Sequence, residues 1–134
     1  MTMRGPASVN QTTVLLVDDD DQLRTLCRDV LAKNGFRVLE SDNGFEAFLV
    51  AANHDGAVDI LITDLEMPRI SGIELAHLFK AIWPTICVLY ISGSLSESTA
   101  ELAADFTYLR KPFLPGTFLK TVGKVLDARA REIN

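Results

Sequence analysis

Five short strand-like runs alternate with longer amphipathic stretches, and this alternation constrains the fold more than any other feature of the chain. The runs are Val14–Val17, Arg37–Glu40, Ile60–Thr63, Ile86–Ile91 and Thr107–Leu109. Several runs are apolar at consecutive positions, as strands must be when helices cover both faces of a parallel sheet. Strands that alternate with helices in this way are typical of α/β domains. The sequence therefore predicts one doubly wound parallel sheet.

The amphipathic stretches carry helix signals. Asp20 and Asp21 suit the N-cap and first turn of the first helix, and Asn34-Gly35 suits its end. Ser71 followed by Glu74 has the spacing of a capping box. A weaker stretch covers residues 94–104, and a last helix starts near Pro115. The residues predicted to face the core are Leu23, Leu26, Cys27, Val30 and Leu31 in the first helix, Phe45, Phe48, Leu49 and Ala52 in the second, Leu75, Leu78, Phe79 and Ile82 in the third, and Phe118, Val122, Val125 and Leu126 in the last.

Length and composition indicate a cytoplasmic single-domain protein. The chain has 134 residues, and we expect a flexible tail over 1–11, one domain over 12–130 and a C-terminal tail over 131–134. The net charge of −5 argues against a nonspecific nucleic-acid or membrane-surface binder. No apolar run approaches the roughly 20 residues of a membrane span, and no secretory signal is present. Cys27 and Cys87 lack paired spacing and are expected to be buried, reduced thiols.

Polar residues follow the strand-like runs where each one ends. Asp18 and Asp19 follow the first run, Asp64 the third, Ser92 the fourth and Lys111 the fifth. Each alone has an ordinary interpretation as a turn former, a helix cap or a solvated loop. Strand ends in an open parallel sheet share one edge, however, so the set would converge on one site. Clustered carboxylates repel one another unless a hard cation joins them, which indicates a magnesium site beside something anionic.

At these residues the chain resembles the receiver domain of two-component response regulators. The matching segments are Val-Leu-Leu-Val-Asp-Asp-Asp at 14–20, Asp-Leu-Glu-Met-Pro-Arg-Ile-Ser-Gly-Ile-Glu-Leu at 64–75, Tyr-Ile-Ser-Gly at 90–93 and Leu-Arg-Lys-Pro-Phe at 109–113. The resemblance covers nearly the whole chain and implies a flavodoxin-like (βα)5 fold with strand order 2-1-3-4-5. Residues 68–75 and 88–94 look most like receivers attached to hybrid sensor histidine kinases.

The resemblance also implies a role for each site residue. Asp64 would accept a phosphoryl group from a phosphohistidine of a sensor histidine kinase or a histidine phosphotransfer protein. Asp18, Asp19, Asp64 and the backbone carbonyl of Glu66 would hold Mg²⁺, for which Mn²⁺ could substitute. Lys111 and Ser92 would bind phosphoryl oxygens, and the peptide bond before Pro112 would be cis. Such a domain is a signalling phosphoacceptor and not an enzyme, apart from its self-catalysed phosphorylation and slow dephosphorylation.

The resemblance also implies two further sets of positions, one for the switch and one for the phosphoryl lifetime. Ser92 would move onto the phosphoryl group and Tyr108 would fill the space that it leaves. The surface of the fourth helix, the fifth strand and the fifth helix would then bind a downstream protein. Glu66 and Ser94 would set the phosphoryl lifetime. No contact with nucleic acid or membrane is expected from this domain.

Two alternative functions remain open from the sequence. Asp18-Asp19-Asp20 after a strand is also compatible with a haloacid-dehalogenase-like phosphatase, with Ser92 and Lys111 as its later motifs. Such enzymes place another acidic pair after the lysine, and here no acidic residue ends a strand beyond Lys111. The other alternative is a pseudo-receiver, an interaction module that is never phosphorylated.

Overall fold

The computed structural model describes residues 12–93 and 107–133, and side chains as far as residue 130. Its five strands form one sheet in the order β2-β1-β3-β4-β5, and all four neighbouring pairs are parallel. The predicted flavodoxin-like fold and strand order are therefore confirmed. The strands are β1 (Thr13–Val17), β2 (Arg37–Ser41), β3 (Ile60–Asp64), β4 (Cys87–Ser92) and β5 (Thr107–Arg110).

Four helices are described: α1 (Asp21–Lys33), α2 (Gly44–Asn53), α3 (Gly72–Ile82) and α4 (Pro115–Ile133). Asp20 caps α1, and Ser71 and Glu74 form the predicted capping box of α3. The helix predicted at 94–104 and the tail predicted at 1–11 lie outside the described residues. Helix α4 continues beyond the domain boundary predicted at residue 130, because strong helix formers without a stop signal follow that position.

The helices cover both faces of the sheet, as the apolar strands require. Helices α1 and α4 pack on one face, where Leu16, Ile62 and Phe118 are fully buried. Helices α2 and α3 pack on the other face over Leu15 and Leu61. Cys27 and Cys87 are buried, free thiols, as predicted. No helix among residues 12–93 and 107–133 is long and apolar enough to cross a bilayer.

The predicted buried face of α2 is wrong. Phe45 is 59% exposed and Leu49 is 38% exposed, whereas Ala47 and Ala51 are buried. Small residues let α2 lie close to the sheet. Phe48 and Val50 are partly buried against the core, and Phe48 packs against Phe79 and Trp83. The sequence predicted that the largest apolar side chains face inward, but the helix lies so close to the sheet that small side chains are buried instead. The other residues predicted inward but found exposed are Ala52, Leu26, Leu78 and Ile82.

Candidate functional site

Strand register brings the predicted site residues to one edge of the sheet. Asp64 pairs with Ile91 across β3 and β4, and Ser92 pairs with Arg110 across β4 and β5. Val17, at the end of β1, pairs with Thr63. The residues that continue these strands, Asp18 and Lys111, therefore lie beside Asp64 at the carboxyl edge, as the sequence predicts.

Three carboxylates form a cluster that fits a divalent cation. One carboxylate oxygen from each of Asp18, Asp19 and Asp64 lies within 4.8 Å of the others. Asp18 is fully buried, Asp64 is 7% exposed, and Asp19 faces solvent. Mg²⁺ prefers carboxylate oxygens and keeps several waters, so a cluster with two buried ligands and one open side suits it.

Lys111 lies between the two buried carboxylates. Its Nζ is 3.0 Å from Asp18 Oδ2 and 3.3 Å from Asp64 Oδ2. Three carboxylates and this one ammonium group leave the cluster two negative charges in excess. Within the described part of the chain, Asp18 Oδ2 accepts no hydrogen bond of regular geometry besides its ion pair with Lys111. The three carboxylates therefore have both the negative charge and the free oxygen lone pairs that a divalent ion needs.

Burial and ion pairs both shift the pKa values of Asp18 and Lys111. Burial raises the pKa of Asp18, as does the Asp64 charge, while the Asp20 amide and the Lys111 ammonium act in the opposite direction. Burial lowers the pKa of Lys111, but its contacts with Asp18 and Asp64 outweigh burial, so that the pKa is raised overall. Lys111 therefore stays positively charged, and the ionised form of Asp18 is held in place at an energetic cost.

Backbone groups fix the two buried carboxylates. The Asp20 amide donates to Asp18 Oδ1 at 2.8 Å, and the Glu66 amide donates to Asp64 Oδ1 at 3.2 Å. The Asp18 amide donates to the Ser41 carbonyl at 3.2 Å, which ties the end of β1 to β2. Each carboxylate therefore has one oxygen bound to a loop amide and the other beside Lys111.

The backbone carbonyl of Ser92 connects the predicted switch residues. It accepts a hydrogen bond from the Lys111 amide at 2.8 Å and another from the Tyr108 hydroxyl at 3.3 Å. Ser92 is fully buried and Tyr108 is half-buried. The Lys111–Pro112 peptide bond is cis, as the resemblance implies. Ser94 lies outside the described residues.

Sequence reasoning missed two residues that shape the site. The Arg24 guanidinium donates to the Asp18 carbonyl at 2.5 Å. Gly72 starts α3 so close to the end of β3 that a Cβ there would lie 2.9 Å from the Asp64 carbonyl carbon and from Leu65 Cα. An arginine on a helix gives no distinctive local signal. The glycine was visible after Ser71, but only the fold shows what approaches it.

Comparison with known proteins identifies the family. The model of the response regulator receiver domain matches residues 14–123. The chain belongs to this family. Its members are signalling modules and not classical enzymes, which decides against the haloacid-dehalogenase-like alternative. The predicted resemblance is therefore confirmed.

Relatives of this receiver domain include stand-alone regulators and parts of larger kinases. A chemotaxis protein CheY homolog from Campylobacter jejuni is 33% identical over 126 residues, which cover 89% of this chain and 95% of the homolog. The sensor kinase CckA from Brucella abortus is 34% identical over 118 residues, which cover 86% of this chain but only 12% of the kinase. The crystal structure of a receiver domain from the hybrid histidine kinase CckA superposes with a TM-score of 0.72 at 32% identity, covering 85% of this chain and 98% of that domain.

Proposed function

We propose that this receiver accepts a phosphoryl group on Asp64 from the phosphohistidine of a sensor histidine kinase or a histidine phosphotransfer protein. In this reaction an Asp64 carboxylate oxygen forms a bond to phosphorus, and the bond from phosphorus to the histidine nitrogen breaks. The imidazole leaves with the electron pair and is then free to take up a proton. The observation that carries the proposal is the convergence of Asp18, Asp19 and Lys111 on the Asp64 carboxylate.

The charges around Asp64 suit this transfer. Phosphoryl transfer passes through a loose, highly charged transition state, so positioning and charge supply most of the catalysis. Bound Mg²⁺ would supply Lewis-acid charge stabilisation to the phosphoryl oxygens. Asp18, Asp19, Asp64 and the Glu66 carbonyl would hold the ion, and Mn²⁺ could replace it. Lys111, already 3.3 Å from Asp64 Oδ2, would pair with a phosphoryl oxygen.

The same edge of the sheet supports a switch. Ser92 would bind another phosphoryl oxygen through its hydroxyl. Tyr108 donates to the Ser92 carbonyl, so a movement of Ser92 would reach this tyrosine directly. A ligand shifts two arrangements only through differential contacts, and the phosphoryl group would provide them at Ser92 and Lys111. The surface that would respond comprises residues 94–104, β5 and the start of α4, and it would bind a downstream protein.

Glu66 and Ser94 would control how long the phosphoryl group survives. The Glu66 amide holds Asp64 Oδ1, so the Glu66 side chain leaves the backbone next to the phosphoacceptor. A carboxylate there would either repel the phosphoryl group or orient an attacking water. Replacing Glu66 by Gln distinguishes these two effects, because it should speed phosphorylation of Asp64 in the first case and slow dephosphorylation in the second.

Phosphorylation by a small donor tests the proposal. The chain is incubated with acetyl phosphate and Mg²⁺, and its intact mass is measured. We expect the addition of one phosphoryl group, which base and hydroxylamine remove, and no addition in Asp64→Asn. Asp59→Asn is a matched control, because Asp59 lies directly before β3, at the end of the strand opposite to Asp64. Equal labelling of Asp64→Asn and the wild type would overturn the assignment. A wild type that is never labelled would favour the pseudo-receiver.

Hydrogen exchange with and without beryllofluoride tests the switch. This phosphoryl mimic should change protection most across residues 92–112 and at the start of α4. Changes confined to α2 would show that the signal leaves by another face. Unchanged protection would mean that the domain stores a phosphoryl group without switching.

A further inference from the structure

Arg24 is a largely buried cation next to the metal-ligand candidates, and it takes no part in the phosphoryl transfer proposed for Asp64. Its side chain is 15% exposed. The guanidinium donates from Nη1 to the Asp18 carbonyl at 2.5 Å, from Nη2 to Asp21 Oδ1 at 2.7 Å and from Nε to Glu40 Oε1 at 3.2 Å. A planar guanidinium holds several acceptors in fixed directions. Arg24 therefore joins the loop after β1 to the start of α1 and to β2.

The Asp18 carbonyl belongs to the peptide group between Asp18 and Asp19. Because a peptide group is planar, a hydrogen bond to its oxygen restrains the whole plane, and with it the direction in which the Asp19 side chain leaves the backbone. The Asp19 carboxylate is exposed, and across residues 12–93 and 107–133 no hydrogen bond or ion pair holds it. Its position beside Asp18 and Asp64 therefore depends on its backbone.

We infer that Arg24 is a positioning residue of the metal site, which holds the Asp18–Asp19 peptide so that both carboxylates converge with that of Asp64. This inference rests on the proposed function, because it concerns the Mg²⁺ that would assist phosphoryl transfer. The contact of Arg24 with the site runs through a backbone oxygen, so Arg24 acts on the ligands and not on the phosphoryl group.

Positioning and simple electrostatics predict opposite effects for the same substitution. The guanidinium repels cations, so removing its charge alone would tighten Mg²⁺ binding. Losing the restraint on the peptide would instead weaken binding, since outer partners of metal ligands are typically worth roughly 10- to 100-fold in affinity. We expect Arg24→Gln to weaken Mg²⁺ binding about tenfold in spite of the lost positive charge.

Arg28 offers a matched control one helical turn further along α1. It also binds Glu40, with Nη1 at 3.3 Å from Oε2, and its other contact is with Asp29. Arg28→Gln therefore removes a charge and a Glu40 contact but leaves the Asp18 carbonyl bound to Arg24. We expect its Mg²⁺ affinity to equal or slightly exceed that of the wild type. Arg24→Lys keeps the charge but loses the planar fork, and should weaken binding by less than Arg24→Gln.

The experiment is a Mg²⁺ titration of the whole chain, followed by the amide NMR signals of Asp19, Asp20 and Asp64, after urea unfolding has shown that each variant is folded. A wild type without a response at millimolar Mg²⁺ would count against the proposed function itself. If the wild type binds but Arg24→Gln binds equally well or more tightly, the role of Arg24 is overturned while the proposed function stands. Equal weakening by Arg28→Gln would also overturn it. Should Arg24→Gln fail to fold, wild-type affinity in Arg24→Lys decides against the inference.

Discussion

Gly72→Ala should destabilise this receiver more than its local sequence suggests. The Gly72 amide donates to the Leu65 carbonyl at 2.9 Å, which holds the first residue of α3 against the end of β3. An alanine Cβ would lie 2.9 Å from the Asp64 carbonyl carbon and closer still to its oxygen. These neighbours are backbone atoms, so they cannot move away by changing a rotamer. The loop from Leu65 to Gly72 would have to shift instead.

The magnitude follows from two opposing effects. Overpacking a close contact typically costs about 1–3 kcal/mol, and contact with backbone places this case at the upper end. Alanine is the better helix former by up to ~1 kcal/mol in a helix interior, but by less at the first helical position. We therefore expect Gly72→Ala to lower the free energy of unfolding by about 2 kcal/mol. Phosphorylation of Asp64 should also slow, because the Asp64 backbone is displaced.

Gly123→Ala is the matched control. Gly123 lies within α4, and no atom of the described residues beyond the adjacent helix backbone and chain neighbours comes within 4 Å of a Cβ built there. The same substitution should therefore raise the free energy of unfolding by roughly 0.5–1 kcal/mol through helix propensity alone. Urea unfolding followed by circular dichroism measures both variants. If Gly72→Ala proves as stable as the wild type, or is stabilised like Gly123→Ala, the close approach of α3 to β3 is not as described.

Three further predictions concern charge and burial. The pKa of Asp18 is raised in the folded chain, so the ionised form of Asp18 opposes folding. Asp18→Asn should therefore raise the urea midpoint in metal-free buffer. This gain in stability should shrink as pH falls towards the normal aspartate range, where Asp18 becomes protonated. Burial, and then the Asp18 charge, raise the pKa of Cys27 to about 12, so iodoacetamide should modify this thiol in neutral buffer only after unfolding; rapid labelling of the folded chain would contradict this. Arg129 binds the carbonyl and the carboxylate of Asp59, and Arg129→Ala should cost about 1 kcal/mol and speed hydrogen exchange at the end of α4; unchanged exchange would show that the contact is not formed in solution.

The positions of the strands along the chain were predictable because they depend on local signals and general rules, whereas the strand order came from the resemblance to receiver domains. Each strand was predicted to within one or two residues, since apolar runs and turn residues mark strand ends. Asp18, Asp64 and Lys111 were predicted to meet because parallel strands end at one edge. In the structure the Lys111 Nζ lies 3.0 Å from Asp18 Oδ2 and 3.3 Å from Asp64 Oδ2. The caps at Asp20 and Ser71 were equally local.

The buried face of α2 was not predictable in the same way. A helical period predicts that one side is buried, but α2 carries large apolar residues on one flank and small residues on the next. Burial of Ala47 and Ala51 reflects how closely α2 approaches the sheet, and that distance is set by β1, β2 and α3 together. Exposure of Phe45 follows from the same packing.

The sequence by itself determined the strand order, through its match to a known family. It also determined which carboxylates and which lysine would share the edge, because all strands of a parallel sheet end on the same side. Only the tertiary structure decided how those groups are held. The hydrogen bond from Arg24 to the Asp18 carbonyl and the approach of Gly72 to Asp64 join residues from different elements. No local pattern encodes such contacts, because they depend on distances between packed elements, and close packing fixes those distances collectively.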